Sequence, residues 1–255
     1  MGKIIAVANQ KGGVGKTTTT VNLGAALAYL KKNVLIVDFD PQGNATQGVG
    51  AYNSNIKKTS YDLLFSDTQP SEIVKKLTRP PLSIIPATID LAGADLEMVE
   101  YKVGRETLLK QKLDMIKDDY DYILIDCPPS LGLLNTNAFT AADSVLIPVQ
   151  CEYYALEGLT QLLSTIRLIQ RLFNRKLIIE GVLLTMFDAR TNLSLEVQQE
   201  VRKYFKESTY KTYIPRSVKL SEAPSRGQSI FEYDVKSVGA TAYAALAKEI
   251  IESNE

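Results

Sequence analysis

Histidine is absent from all 255 residues. That excludes Ser-His and Cys-His nucleophilic mechanisms and histidine-ligated metal centres, and leaves any chemistry to carboxylates, lysines and hydroxyls. Cysteine is nearly absent. Cys127 and Cys151 form no CxxC or other zinc spacing, and a chain this long needs no single disulfide to hold it, so both are expected as reduced, buried thiols. No apolar run approaches the roughly 20 residues that span a bilayer. The N-terminus lacks the basic and apolar regions of a secretory signal, which predicts a soluble, cytoplasmic protein. Neither sign of charge is in excess, with 29 Lys plus Arg against 29 Asp plus Glu, so any nucleic-acid surface has to be a local patch.

The chain does contain an alternation of short apolar runs with helix-length segments. Lys3 to Ala8 reads as a strand, then come glycines between positions 12 and 15, then a helical pattern through Val21, Leu23, Ala26, Leu27 and Leu30. Further strand-like runs cover Val34 to Val37, Leu82 to Ile85, Tyr122 to Ile125, Val145 to Val149, Leu177 to Leu184 and Tyr210 to Ile214. Near-continuous apolar strands alternating with helices predict one doubly wound α/β domain over residues 1–255, with a mostly parallel sheet covered by helices on both faces. Gly43 to Pro81 is polar and turn-rich and reads as a surface excursion, with short helix candidates at Tyr61 to Phe65 and Ser71 to Leu77. Ser237 to Ile251 reads as an amphipathic closing helix. There is no internal repeat or low-complexity tract.

Between the first strand and first helix stands Lys11-Gly12-Gly13-Val14-Gly15-Lys16-Thr17-Thr18. Glycines let successive N–H groups converge on phosphate oxygens at the positive end of the following helix. Lys16 then supplies a charge to the β/γ-phosphates, Thr17 a hydroxyl to Mg²⁺, and Thr18 a contact to the α-phosphate. The usual GxxxxGK[ST] pattern has glycine at position 10, where this chain has Gln10, and it has gained Lys11. Two lysines in one phosphate loop repel unless a second phosphate group is within reach.

Asp38 and Asp40 follow the second strand, and a period of two places them on one face if the backbone stays extended. Asp38 suits either a site role or simply holding the loop. Asp126 ends Tyr122-Ile123-Leu124-Ile125, the apolar strand plus carboxylate that holds Mg²⁺ through a water. Cys127-Pro128-Pro129 reads as a stiff switch segment. Asp40-Pro41-Gln42-Gly43 imitates the DxxG of GTPases but follows the wrong strand, and no NKxD motif occurs. Adenine is therefore the expected base.

The KGGVGKT signature resembles the deviant-Walker-A family. KGGVGKTTT, VDFDPQGNAT, DYILIDCPPSLGLL, PVQCEYYALEGL, GVLLTMFDARTNLS and IPRSVKLSEAPS, in that order, are similar to its Soj-like ParA branch. The resemblance implies a P-loop NTPase fold and a cytoplasmic, nucleoid-associated ATPase using ATP and Mg²⁺. It also implies a homodimer formed with ATP, in which Lys11 reaches the partner's nucleotide much as an arginine finger does. Asp40 then orients the attacking water, and the base lies near Met186 and Ile214-Pro215-Arg216. The branch binds nonspecific double-stranded DNA as a dimer, which points to Arg190, to Lys219 where relatives carry arginine, and to Arg216 with Lys203 as an extension. A ParB-like protein stimulates hydrolysis. The sister branches fit less well: Cys127 and Cys151 sit in ParA-type motifs rather than cluster-ligand positions, and Lys248 to Glu255 is acidic, against a membrane-binding tail. A nucleotide-gated regulator of another protein, such as a replication initiator, stays open, as does a membrane-positioning ATPase.

Overall fold

The computed structural model describes residues 2–52, 56–78, 80–152 and 157–254. Tyr153 to Leu156, within the PVQCEYYALEGL motif, lie outside the described residues, as does Glu255 of the C-terminal tail.

Seven strands form one sheet: β1 (Lys3–Val7), β2 (Val34–Asp38), β3 (Lys75–Lys76), β4 (Ser83–Ile85), β5 (Tyr122–Asp126), β6 (Ser144–Gln150) and β7 (Ile178–Thr185), in the order β3-β4-β2-β5-β1-β6-β7. All neighbours are parallel except β3 and β4. Because side chains alternate along a strand, each parallel strand feeds two cores. Ile4 and Ala6 face one side with Leu35, Val37, Ile123, Ile125, Val145 and Ile147. Ile5 and Val7 face the other with Ile36, Leu124, Leu146 and Leu183. Both faces therefore need apolar covers.

Helices α1 (Lys16–Tyr29) and α2 (Asn44–Gly48) begin the cover of the second face. On the first face lie α3 (Ser60–Phe65), α4 (Pro70–Ile73), α5 (Ala94–Glu100), α6 (Leu108–Asp114), α7 (Leu133–Ala141), α8 (Glu157–Leu172) and α9 (Asn192–Phe205). The second face is completed by α10 (Val218–Glu222), α11 (Ile230–Asp234) and α12 (Val238–Asn254).

Two expected elements differ. Tyr210 to Ile214 is not a ladder strand: it meets its neighbours through isolated bridges, Val182 with Thr209 and Phe187 with Pro215, and through the Tyr210 and Ile214 N–H groups, which donate to the Val182 and Leu184 carbonyls at 3.1 and 2.8 Å. The cause is a competing acceptor, since the N–H groups of Lys211 and Thr212 donate to the two Glu249 carboxylate oxygens at 2.7 and 3.1 Å. The helix expected from Ser71 to Leu77 is only α4, and the chain then turns into β3, the antiparallel edge strand. The Gly43 to Pro81 excursion is also less superficial than its polarity suggests, because Ala45, Leu63, Leu64 and Ile73 enter the cores.

Register places the chemistry. Asp38 pairs across the β2/β5 ladder with Asp126, and the adjoining β1 runs directly into the glycine loop. Three carboxyl ends converge at one sheet edge, the crevice where ligands bind in open α/β sheets.

Candidate functional site

Gly13 and Gly15 take φ values of 75° and 87°, a left-handed region in which a Cβ is strained. This lets the loop curl around the start of α1. Gly15 caps α1 with no side-chain acceptor, and no acidic residue stands in its first turn. The opening N–H groups are thus left for an external anion. Val14 is buried, with its carbonyl accepting from the Thr185 hydroxyl at 2.8 Å, and the Lys11 N–H donates to Asn9 Oδ1 at 3.0 Å. Gly12, by contrast, is exposed at the crest of the loop.

Lys16 is buried, and its ammonium donates to the Lys11 carbonyl at 3.3 Å across the loop. Burial depresses its pKa, while the charges of Asp126 and then Asp40 oppose the shift. Asp126 is fully buried and accepts from the Thr17 hydroxyl at 2.7 Å and the Thr20 hydroxyl at 3.0 Å. Burial first, then the Asp38 charge, pushes its carboxyl up to about 8. Thr17 and Asp126, meeting directly, make an all-oxygen pair of the kind a hard divalent cation prefers. Thr18 sits one residue on, at the mouth of the adjoining cleft.

Of the two candidates on the second strand, Asp38 holds the loop. It is buried and accepts from the Thr46 N–H at 2.7 Å and the Thr46 hydroxyl at 2.6 Å, fastening the start of α2 to the end of β2. Burial raises its carboxyl to about 6. Asp40 takes the Gln42 N–H at 2.9 Å on Oδ1 and keeps slight exposure at the crevice.

The expected base position coincides with a cleft of about 250 Å³ lined by Gly15, Thr18, Met186, Pro215, Arg216 and Tyr243, among others. Met186 is a non-glycine residue at φ 50°, so strain is concentrated at the cleft wall. The Phe187 N–H bonded to the Ile214 carbonyl at 3.0 Å holds it there. A larger cleft, about 540 Å³, opens at the other end of the sheet beside Asn33, Ser83 and Tyr120. It has no phosphate loop, so volume does not locate the chemistry.

The Lys11 side chain pairs with a residue outside its own loop. Its ammonium lies 3.6 Å from Glu152 Oε2, and an Arg216 guanidinium nitrogen lies 3.9 Å from Glu152 Oε1. Arg190 is highly exposed and grips Asp188 through two nitrogens at 2.9 and 2.7 Å. These bonds, followed by one from the Arg190 N–H, pull the Asp188 carboxyl down to about 2. Lys219 pairs with Asp234. Arg190, Arg216 and Lys219 thus each have an acidic neighbour within the chain, and Lys203 stands exposed on α9. Glu152, Thr20 and Thr46 are the partners that motif reading passed over. Thr20 was detectable as the residue one turn after Lys16; Thr46 and Glu152 lie inside VDFDPQGNAT and PVQCEYYALEGL, but the motifs do not give their roles, which depend on contacts with Asp38 and Lys11. Both thiols are buried, with Cys127 raised well above the usual thiol range and Cys151 up to about 12.

A family model described as an AAA domain matches residues 2–179. The sporulation initiation inhibitor protein Soj of Bacillus subtilis is 61% identical over 98% of both chains. The chromosome-partitioning ATPase Soj of Treponema pallidum is 50% identical over 98% of both. Among solved structures, cobyrinic acid a,c-diamide synthase of Mycobacterium smegmatis with bound ATP analogue and magnesium superposes with a TM-score of 0.90. Its identity is 36%, covering 100% of this chain and 96% of that one. The cell division ATPase MinD of Pyrococcus furiosus follows at 0.82 and 26%, covering 100% of both chains. These names span several functions on one fold, so function is read from the Soj relatives, covered nearly end to end, and from the site.

Proposed function

The chain belongs to the Soj/ParA family of chromosome-partitioning ATPases, and from that premise we propose a nucleotide switch that hydrolyses ATP with Mg²⁺, dimerises on ATP and binds DNA as the dimer. The observation that carries this reading is the division of labour between the two loop lysines. Lys16 is bonded back to the loop carbonyl of Lys11, whereas the Lys11 ammonium is paired with Glu152, outside the loop. One protomer's triphosphate is served by Lys16, leaving Lys11 for a second subunit.

The donors fit Mg·ATP. The uncapped start of α1 and the positive-φ glycines suit the phosphates, and the Met186/Pro215 cleft suits the base. Thr17 and Asp126 would hold the metal, which when bound neutralises charge on the transferring phosphoryl group. Asp40, within the crevice, orients the attacking water; its loop is pinned by Asp38 and Thr46. Because phosphoryl transfer is carried largely by positioning and electrostatics, turnover stays slow until a ParB-like partner completes the arrangement.

Arg190, Lys219 and Arg216 supply the DNA contacts. Phosphate binding exchanges their intrachain carboxylates for DNA oxygens and releases counterions. Co-sedimentation with double-stranded DNA tests the reading: retention with ATP, release with ADP, and salt-sensitive loss in Arg190→Ala. Equal retention in both nucleotides overturns it.

The name of the Bacillus relative favours a second reading, in which the same switch gates another protein and turnover matters little. Hydrolysis indifferent to DNA plus a ParB-like protein would select it. Among the described residues no helix is long and apolar enough to cross a membrane.

A further inference from the structure

The segment after Asp126, Cys127-Pro128-Pro129-Ser130, has few groups of its own with which to fasten itself. The Cys127 N–H donates to the Val7 carbonyl at 3.2 Å. Pro128 and Pro129 have no N–H to give. Ser130 is exposed and Leu131 half-buried, and among the described residues neither N–H finds an acceptor.

What holds the segment is a side chain of α7. Asn135 is 2% exposed, and its Nδ2 donates to the Pro128 carbonyl at 2.9 Å and to the Ser130 carbonyl. Its Oδ1 is buried and accepts from no described residue. A buried acceptor without a donor is costly and calls for an explanation. Asn137, two residues on, shows what a purely structural amide does in the same helix. Its Oδ1 accepts the Leu109 N–H at 3.2 Å, and its Nδ2 donates to the Arg105 and Leu133 carbonyls at 2.7 and 3.1 Å, so both ends are used. The frame of α7 is fixed as well, because the Leu134 N–H donates to Asp95 Oδ1 at 3.1 Å. Asn135 therefore stands on a braced element and grips the proline segment by its donors alone.

An amide with its donors engaged and its acceptor idle suits a segment that has two positions. The prolines narrow the donors that can reach Oδ1 from this segment to the N–H groups of Ser130 and Leu131. Asp126, bonded to Thr17 at 2.7 Å, ties the other end of the segment to the phosphate loop. We propose that Asn135 is a positioning residue of the nucleotide switch: in one position it holds the Pro128 and Ser130 carbonyls, in the other its Oδ1 takes a Ser130 or Leu131 N–H, and the γ-phosphate selects the second. The inference rests on the ATPase reading above and deepens it by naming the side chain that registers the third phosphate.

The test combines amide hydrogen exchange with nucleotide affinity on the full chain, using Mg·ADP and a nonhydrolysable Mg·ATP analogue. In the wild type, exchange at Ser130 and Leu131 should slow at least ~10-fold with the analogue relative to ADP. Asn135→Leu, of similar volume but without donors or acceptor, should lose that protection. It should also bind the analogue at least ~10-fold more weakly while ADP affinity stays within ~2-fold. Asn135→Asp at pH 8 keeps the acceptor and repels the two carbonyls, so it should protect Ser130 and Leu131 even without nucleotide. The two variants are separate tests, and failure of one to fold leaves the other to decide. Protection that persists in Asn135→Leu, as burial at a subunit interface would give, overturns the proposal. So does an equal loss of both nucleotides, which a merely structural role would produce. If the wild type bound neither nucleotide, the ATPase reading would fall, and an Asn135→Asp protein unprotected without nucleotide would overturn the latch independently.

Discussion

Asp126 sits at β5 with its carboxylate closed in by two threonine hydroxyls and the facing Asp38, and its proton is held to about 8. An unfolded carboxyl titrates near 4. With the folded value raised, the group's stabilising contribution is fully present below pH ~4 and is lost as pH rises through about 8. Urea unfolding of the nucleotide-free protein should therefore show stability falling between pH 5 and 8. Asp126→Asn should flatten that slope and raise stability at pH 8 while removing Mg²⁺-dependent nucleotide binding; an unchanged slope contradicts the assignment. At Lys11 the pair with Glu152 is half-exposed and worth only about 0–1 kcal/mol, so little holds the ammonium from a stronger partner. If it acts as a finger in trans, Lys11→Ala should lower single-turnover ATP hydrolysis by ~10³-fold or more with the circular-dichroism spectrum unchanged. A loss below ~10-fold contradicts that role.

Gly50 and Gly227, each near φ 65° (69° and 63°), bring the end of α2 against the turn that follows α10. A Cβ on Gly227 would lie 2.9 Å from the Gly50 Cα. The Gly227→Ala protein should lose about 1–3 kcal/mol of stability, read as a lowered urea midpoint with the slope unchanged. Because Pro224 of the same turn lines the base cleft, nucleotide affinity should fall as well. These elements also mark what the sequence revealed. Strand, glycine loop and helix were legible from Lys3 to Leu30 because composition, period and turn chemistry agree there. The Tyr210 to Ile214 run misled because its β-branched and aromatic composition matches a strand, while the acceptor that draws its amides away, Glu249, lies on α12. Local propensity cannot see such a partner. Asp38 and Asp40 were both legible as site carboxylates, but only the Thr46 contacts separate the one that braces the loop from the one left at the crevice.

On the scale of the molecule, zero net charge conceals a division of surfaces. Arg190, Arg216 and Lys219 stand on the segments after β7, whereas Asp90, Asp95, Glu97 and Glu100 lie between β4 and α6. If DNA lies along the former, Arg190→Ala should reduce the slope of log affinity against log salt by about 1, measured on the ATP-bound protein. An unchanged slope removes Arg190 from the contact. Completion of the site by a second subunit, as proposed, makes the mass of the ATP-bound protein decisive. Sedimentation equilibrium of Asp40→Ala, which should bind but not turn over ATP, addresses it directly with Mg·ATP, with Mg·ADP, and in combination with Lys11→Ala. The expected result is a dimer mass with ATP, a monomer mass with ADP, and a monomer in both nucleotides once Lys11 is gone. The same mass in ATP and ADP, or a dimer that persists without Lys11, would contradict it.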